Sequence, residues 1–306
     1  MINGWQWENA VAGSAAGLAT VSFTHPLDVV RTRFQVNDGR LSNIPTYKNT
    51  PHALFTIARA EGLRGLYAGF YPALLGSTVS WGLYFYFYSK AKQRYLRSRE
   101  ELGPTLHLAS AAEAGGLVCL CTNPVWLVKT RLQLQTPQQA RPYSGFHDAL
   151  RTILKEEGWR ALYKGLVPGL FLQVTHGAIQ FTAYEELRKF AMNIRTGERK
   201  NRIADDSLDS FDYACFGAVS KLAAILLTYP FQVIRSRLQQ RPCIEGIPRY
   251  MDSLHVVKET ARFEGLRGFY RGMTANVLKN APASSVTFIV YENVLNLLKL
   301  ARWKDS

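Results

Sequence analysis

The sequence is poor in cysteine and lacks the arrangements that let side chains do covalent chemistry. Four cysteines stand in 306 residues, Cys119, Cys121, Cys215 and Cys243, with no CxxC pair and no metal-like spacing, so neither a redox pair, a metal site nor a bound cofactor is expected. Three of them fall in apolar stretches, where a small buried thiol is the ordinary reading. No glycine-rich phosphate loop, HExxH helix or nucleophile elbow appears, and His176 has no neighbouring serine or cysteine with a third orienting group. An enzyme is therefore not expected. A charged-then-apolar leader is missing too: Met1 runs into Trp5, Trp7 and the first helical segment. That speaks against a secretory route and leaves open an organelle with internal import signals.

Acidic residues are also scarce, 23 against 37 Lys and Arg, for a formal charge of +14. Nucleic acid, an anionic membrane surface or an anionic substrate could each answer that surplus. The basic residues recur at fixed places instead of clustering in a tail, which favours the last two and no nucleic acid. Apolar residues make up 47% and charged ones 20%, and the mean hydropathy is −0.10. That is low for helices bathed wholly in lipid, and fits helices with one face to lipid and the other to water.

Length alone suggests roughly two domains, but an internal repeat overrides that figure. The string HPLDVVRTRFQ begins at His25, NPVWLVKTRLQ at Asn123 and YPFQVIRSRLQ at Tyr229, placing Pro26, Pro124 and Pro230 at intervals of 98 and 106 residues. EGLRGLYAG follows from Glu61, EGWRALYKG from Glu157 and EGLRGFYRG from Glu264. Tyr67 and Tyr88, Tyr163 and Tyr184, and Tyr270 and Tyr291 are each 21 residues apart. Three markers in one order, three times, define repeats over 5–97, 104–193 and 209–301. The period is too long for solenoid units of about 20–50 residues, so each unit holds two long helices.

Residues 9–35 and 70–92, 107–133 and 167–189, and 213–239 and 273–298 read as those helices. Each is long enough to cross a bilayer of ~30 Å with some tilt. Segment 52–60 reads as a short amphipathic helix between the first two, mirrored in the other repeats. Leu66–Tyr88 carries no charge, which a soluble helical repeat would have to hide. Gly13 and Gly17, and Gly76 and Ser80, stand four apart, as close helix packing in a membrane requires. The fold class is thus all-α and membrane-spanning, six transmembrane helices from three tandem repeats, with the lipid bilayer as partner.

Asp28, Arg31 and Gln35 follow Pro26 at two, five and nine residues, a spacing that shares one helix face. Trp126, Lys129 and Gln133 take the same places after Pro124, and Gln232, Arg235 and Gln239 after Pro230. Proline removes a backbone hydrogen bond and bends a helix. Charges inside a span are costly unless paired, so these rings read as functional.

The pattern Pro-x-acid-x-x-base-x-base-x-Gln, then Glu-Gly-x-x-x-x-aromatic-x-Gly, resembles the mitochondrial carrier family over nearly the whole chain. The resemblance implies a pseudo-threefold six-helix barrel with a central cavity and no obligatory protein partner. It also implies short helices on the matrix or stromal side, and alternating access between two gates. It pairs Asp28 with Lys129, Trp126 with Arg235 as a cation–π contact of ~0.5–2 kcal/mol, and Gln232 with Arg31 by hydrogen bonding, with Gln35, Gln133 and Gln239 as braces. On the even helices it implies a cytosolic gate at Tyr184, Glu185 and Arg188, with pairs Lys92–Glu185 and Arg188–Glu292. Ser89 and Leu295 cannot close the third pair.

The family's substrate contacts lie about 12–13 residues before that acid position. The resemblance thereby singles out Gly76 and Ser77, Leu172 and Gln173, and Lys279 and Asn280, with Ser80, Trp81, Tyr84, His176, Gly177 and Gln180 one to two turns on. Lys279 suits a carboxylate or phosphate. Trp81 and Tyr84 suit a flat ring, Gln173 and Asn280 hydrogen-bond both ways, and Gly76 and Gly177 leave room. Glu113 and Lys221, inside the third and fifth helices, read equally as cavity residues or as interface charges. The expected cargo is a small anionic heteroaromatic molecule. Tryptophan in NPVWLVKTRLQLQ, with TVSWGLYFYFY and HGAIQFTAYEELRK, resembles the branch carrying folate, FAD, NAD and pyrimidine nucleotides, with folate favoured and FAD the alternative. That branch implies an organelle inner membrane, the chloroplast envelope before the mitochondrial inner membrane. The residues alone accept FAD or a nucleotide equally well.

Overall fold

In the computed structural model, residues 4–37, 45–96, 103–137, 142–198, 210–242 and 250–304 are described; Cys243 lies outside them. The described residues are helical, with no strand. α1 spans Gly4–Val36, α2 Thr50–Leu66, α3 Phe70–Leu96, α4 Pro104–Gln133, α5 Phe146–Glu156, α6 Leu166–Glu198, α7 Ser210–Leu238, α8 Ser253–Gly268 and α9 Met273–Lys304, with a 3₁₀ turn at Trp159–Tyr163. Six long helices fall where the apolar runs predict them; most are a few residues longer, α6 runs nine further to Glu198, and α7 ends one earlier at Leu238.

The short helices α2, α5 and α8 repeat one local design. Asn49 caps α2 by accepting from His52 N at 2.9 Å, and Asp252 caps α8 by accepting from His255 N at 2.7 Å. Each ends near its Glu-Gly step, where Gly62, Gly158 and Gly265 take φ of 68°, 78° and 62°. A side chain at such φ meets the neighbouring backbone, so glycine is required there.

Pro26, Pro124 and Pro230 lie inside α1, α4 and α7. Pro26 leaves the carbonyl of Ser22, four residues back, without its helical donor. The Tyr67 hydroxyl donates to that oxygen at 3.2 Å, so the aromatic of the Glu-Gly motif repairs what the proline breaks. His25 stacks on Tyr67 and hydrogen-bonds the Ala68 carbonyl at 2.9 Å.

The chain divides into two compact units. The first comprises Met1–Thr78, Pro124–Lys164 and Ser236–Ser306, the second Val79–Asn123 and Gly165–Arg235. The first holds α1, α9, the short helices and the C-terminal ends of α4 and α7. Its apolar clusters are local: Val29, Val30, Ala53, Ile57, Leu66 and Ala275 in one, Leu127, Val128, Tyr143, Ala149, Ile153, Ala161 and Leu162 in another. α1 and α9 pack side by side, joined by Thr20–Thr287 at 2.8 Å and Tyr291–Asn9 at 2.7 Å. The second unit consists of all of α6 and parts of α3, α4 and α7.

Burial is inverted relative to a water-soluble protein. Asp28, Arg33, Gln35, Arg131, Gln133, Arg237 and Gln239 are buried, while Phe23, Leu227, Phe288 and Leu297 are exposed. Apolar outside and paired polar groups inside is the arrangement lipid demands. Leu106–Gln133 and Asp212–Leu238 are by themselves apolar and long enough to cross a membrane.

Candidate functional site: the Asp28 cluster and its arginine ring

Two residues after Pro26, Asp28 lies buried in the first unit and holds three cations. Lys129 from α4 pairs with Oδ2, Lys279 from α9 sits 2.5 Å from Oδ1, and Arg31 lies 3.6 Å away on the next turn of α1. Gln133 Nε2 donates to Oδ2 at 3.0 Å. One carboxylate therefore gathers a lysine from the second repeat and one from the third. The Lys129 ammonium also lies 5.1 Å from the centre of the Trp126 ring, the cation–π partner Trp126 finds within its own unit.

Lys279, predicted as a substrate cation, is thus engaged by the gate carboxylate. Gly76, predicted to leave room for a ligand, is buried, and a Cβ there would lie 3.2 Å from Val125 Cγ1 and 3.5 Å from the Trp126 ring. The indole takes the space that the missing side chain leaves. Asn280 turns back on its own helix, donating to the Asn276 carbonyl at 2.8 Å. Ser77 is half-buried beside Gly76 on α3.

Around this cluster runs a set of contacts that repeats three times. Thr32 Oγ1 donates to Gln133 Oε1 at 2.8 Å, Thr130 Oγ1 to Gln239 Oε1 at 2.9 Å, and Ser236 Oγ to Gln35 Oε1 at 2.7 Å. Beside each hydroxyl, an arginine Nε donates to the backbone carbonyl of the same glutamine: Arg33 to Gln133 at 3.0 Å, Arg131 to Gln239 at 3.2 Å, Arg237 to Gln35 at 3.0 Å. The glutamines expected as braces are therefore clasped by the preceding repeat's helix in cyclic order.

The same arginines hold the glutamate of each Glu-Gly step. Arg33 meets Glu61 at 2.5 and 2.7 Å, Arg131 pairs with Glu157, and Arg237 meets Glu264 at 2.5 Å. Sequence reasoning treated the first base of each motif as functional and missed this second one. The signal was present, since arginine stands seven residues after every proline and glutamate opens every Glu-Gly string. The pairing extends outward through Lys164–Glu157 at 2.8 Å and Arg271–Glu264 at 2.9 Å. Burial pushes the Glu157 carboxyl up, but the hydrogen bonds and charges of Arg131 and Lys164 outweigh it and hold the group below its ordinary value.

The three braces are not equivalent. Gln133 Nε2 finds Asp28, whereas Gln35 Nε2 and Gln239 Nε2 are buried without a partner among the described residues. In the second repeat the reason is Trp126, which stands where a carboxylate would accept from Gln239.

The second unit carries the remaining predicted residues. Lys92 and Glu185, expected to pair, form no ion pair among the described residues; beside them on the surface of α6, Lys189 pairs with Glu186 at 2.9 Å. Trp81 is exposed and stacks on Phe85 at 5.9 Å, and Tyr84 stacks on Tyr88, whose hydroxyl meets His107 at 3.0 Å. Ser80 Oγ is buried with no hydrogen-bond partner among the described residues. Gln173 packs on Gly115, where a Cβ would come 2.8 Å from its Cγ. His176 meets Thr228 at 3.1 Å. Gln180 is half-buried on the same face of α6.

Arg235 donates to Asn123 at 3.3 Å and crosses Gly169. Its expected partner Trp126 belongs to the first unit, as do Arg31, the partner of Gln232, and Glu292, the partner of Arg188. Glu113 is tied to Arg94 at 2.6 Å, with the Tyr95 hydroxyl at 3.4 Å. Cys119 and Cys215 are buried and half-buried, whereas Cys121, expected to be buried, is exposed, because its side of α4 carries the apolar surface.

Comparison with known proteins agrees with this geometry. The profile of the mitochondrial carrier protein family matches residues 4–99, 100–195 and 206–301. The chain is 73% identical to "Folate transporter 1, chloroplastic" of Arabidopsis thaliana over 98% of each chain. It is 36% identical to "Nicotinamide adenine dinucleotide transporter 1, chloroplastic" of the same plant, covering 95% of this chain and 91% of the relative. It is 37% identical to "Mitochondrial nicotinamide adenine dinucleotide transporter 1" of Saccharomyces cerevisiae, covering 95% and 77% respectively.

Proposed function

We propose, from the premise that this chain belongs to the mitochondrial carrier family, that it transports folates by alternating access across an organelle inner membrane, that of the chloroplast envelope. It does no chemistry on its cargo. The observation that carries an anionic cargo is the Asp28 cluster. One carboxylate faces Arg31, Lys129 and Lys279, a cation-rich cluster inside a helical membrane protein. Charge there is costly unless paired, and an anionic cargo would add to the one carboxylate that these cations share. Folate ends in a glutamate with two carboxylates and begins in a flat pteridine. The 73% identity to a chloroplastic folate transporter supports folate within the anionic class, while the nicotinamide dinucleotide transporters stand at 36 and 37%.

In this reading the pair Asp28–Lys129, braced by Gln133, latches the stromal side, and Lys279 is where the tail of the cargo competes with Asp28. Trp126, Gln232, Arg31, Arg235, Gln35 and Gln239 complete that gate. Lys92, Glu185, Arg188 and Glu292 close the cytosolic side in the opposite state. Ser77, Ser80, Trp81, Tyr84, Gln173, His176, Gln180, Lys279 and Asn280 are assigned to the cargo, with Gly76 as the packing seat of Trp126.

The test is uptake into liposomes carrying the purified protein, with labelled folate, FAD and NAD as separate substrates. Saturable folate uptake is expected. Saturable FAD or NAD uptake with none for folate would replace the cargo and leave the carrier assignment standing.

A further inference from the structure

Arg235, the base of the third proline motif, is seated within the second unit. Its guanidinium crosses the backbone of α6 at Gly169, where a Cβ would stand 3.3 Å from Cζ and 3.4 Å from Nε. The Cys119 sulfur of α4 lies 3.3 Å from the same point. Arg235 Nη2 donates to Asn123 Oδ1, also of α4, at 3.3 Å. Asn123 is completely buried and Cys119 is buried beside it. Asn123, Cys119, Gly169 and Arg235 all belong to the second unit. A stretch of backbone, a thiol and an amide thus wall a seat for one guanidinium, and each wall is neutral.

Other contacts space the helices around this seat. Gln173, four residues after Gly169 on α6, lies along Gly115, four residues before Cys119 on α4. Phe171 of α6 stacks on Phe231 of α7, one turn before Arg235, with ring centres 6.2 Å apart. The gap that receives the guanidinium is therefore held by side chains other than Arg235.

The repeats differ at the seat. Gly169 stands four residues after Gly165, and the matching residues after Gly69 and Gly272 are Ala73 and Asn276, which carry side chains. His25, Asn123 and Tyr229 precede the three prolines. His25 bonds the Ala68 carbonyl of its own repeat, whereas Asn123 reaches the arginine of the next repeat. Two residues after its proline the second repeat has Trp126, where the first has Asp28. The helix that lacks this carboxylate offers an amide oxygen three residues earlier on the same face. A cation within a span needs a partner, and a neutral acceptor holds it more weakly than a carboxylate does.

We propose that Asn123 and Gly169 are positioning residues for Arg235. They seat the base among neutral groups, from which it leaves more readily than from a carboxylate, and so set how fast this part of the stromal gate opens. This rests on the transport reading above.

The experiment follows the Cys119 thiol, which the seated guanidinium covers. Full-length wild type, Asn123→Asp, Asn123→Ala and Arg235→Gln in liposomes are treated with N-ethylmaleimide, and alkylation of Cys119 is timed by peptide mass spectrometry. Aspartate keeps the shape of asparagine and adds a charge, so alkylation should slow by about fivefold, while alanine removes the acceptor and should quicken it by about as much. Arg235→Gln, which empties the seat, should quicken it at least as far as Asn123→Ala. A residue that merely packed α4 would loosen the region in both Asn123 variants. Alkylation quickened in both, or changed in neither, overturns the proposal, and so does a wild-type rate in Arg235→Gln. Gly169 is judged by uptake. Gly169→Ala puts a methyl into the seat and should lower maximal folate uptake by about fivefold, and adding Cys119→Ala, which frees room on the opposite wall, should recover most of it. A loss that Cys119→Ala leaves untouched assigns Gly169 to helix packing and overturns its part. Alkylation needs no cargo, so a wild type that takes up no folate overturns the transport reading and leaves the seat to be judged by Cys119 alone.

Discussion

Lys279 of α9 and Lys129 of α4 hold opposite oxygens of one carboxylate, Lys279 2.5 Å from Asp28 Oδ1 and Lys129 on Oδ2. A cation that a cargo would need is thereby the same cation that steadies the latch. In the proposed mechanism binding and opening share a residue, and the competition has a direction: an anion that takes Lys279 removes one of the cations from Asp28.

Lys279→Ala should therefore abolish uptake while the protein still folds and inserts. The check is liposome uptake beside helical content and unfolding midpoint. Wild-type uptake by this variant would mean that another residue receives the cargo's charge.

Asp28→Asn should be costly to the fold itself, since it leaves Arg31, Lys129 and Lys279 facing one another. Removing one partner of a buried pair typically costs about 3–5 kcal/mol. Adding Lys129→Gln to Asp28→Asn should restore part of the loss, measured as coupling in a double-mutant cycle of unfolding midpoints.

Arg33→Lys and Arg237→Lys should each destabilise the protein despite keeping the charge. Both side chains are completely buried and serve a carbonyl and a carboxylate at once. A lysine ammonium cannot reproduce that fork. Unfolding midpoints equal to wild type would contradict the shared role.

The Glu157 carboxyl gives a pH signature. Its folded value lies below the ordinary 4.5, so its contribution to stability is complete above that value and is lost as pH falls through the depressed one. The gap in unfolding midpoint between wild type and Glu157→Gln should be widest near neutrality and narrow below about pH 4.5. A gap independent of pH would show that Glu157 acts by packing alone.

Trp126→Glu should give the orphaned Gln239 Nε2 an acceptor. A better braced gate opens more slowly, so turnover should drop with little change in affinity. Trp126→Ala should likewise move rates more than affinity, because the indole packs on Gly76 and beneath Lys129.

Much of this was legible in the residues. Prolines 98 and 106 apart, with acid, base and glutamine at fixed offsets, located the helices and the Asp28–Lys129 pair, because helix periodicity turns offsets into faces. The arginine–glutamate pairs were equally regular, but the partners lie 26 to 28 residues apart, and only the turn at each short helix brings them together. The Trp126 indole beside Gly76 was not legible, because the sequence does not say whether protein or ligand fills the room that a glycine leaves. The Lys279–Asp28 contact spans 251 residues; neither motif offset points to it, since it depends on how α9 packs against α1.

The clasp of arginine on the following repeat's glutamine carbonyl closes on itself, first to second, second to third, third to first. A one- or two-repeat fragment would leave at least one guanidinium with its own repeat's glutamate and without the glutamine carbonyl that it also serves. Shortened versions of this chain should therefore fail as stable pieces, and growth to four repeats would need a new circumference. The number of repeats is set by the arithmetic of a loop that must return to its starting link.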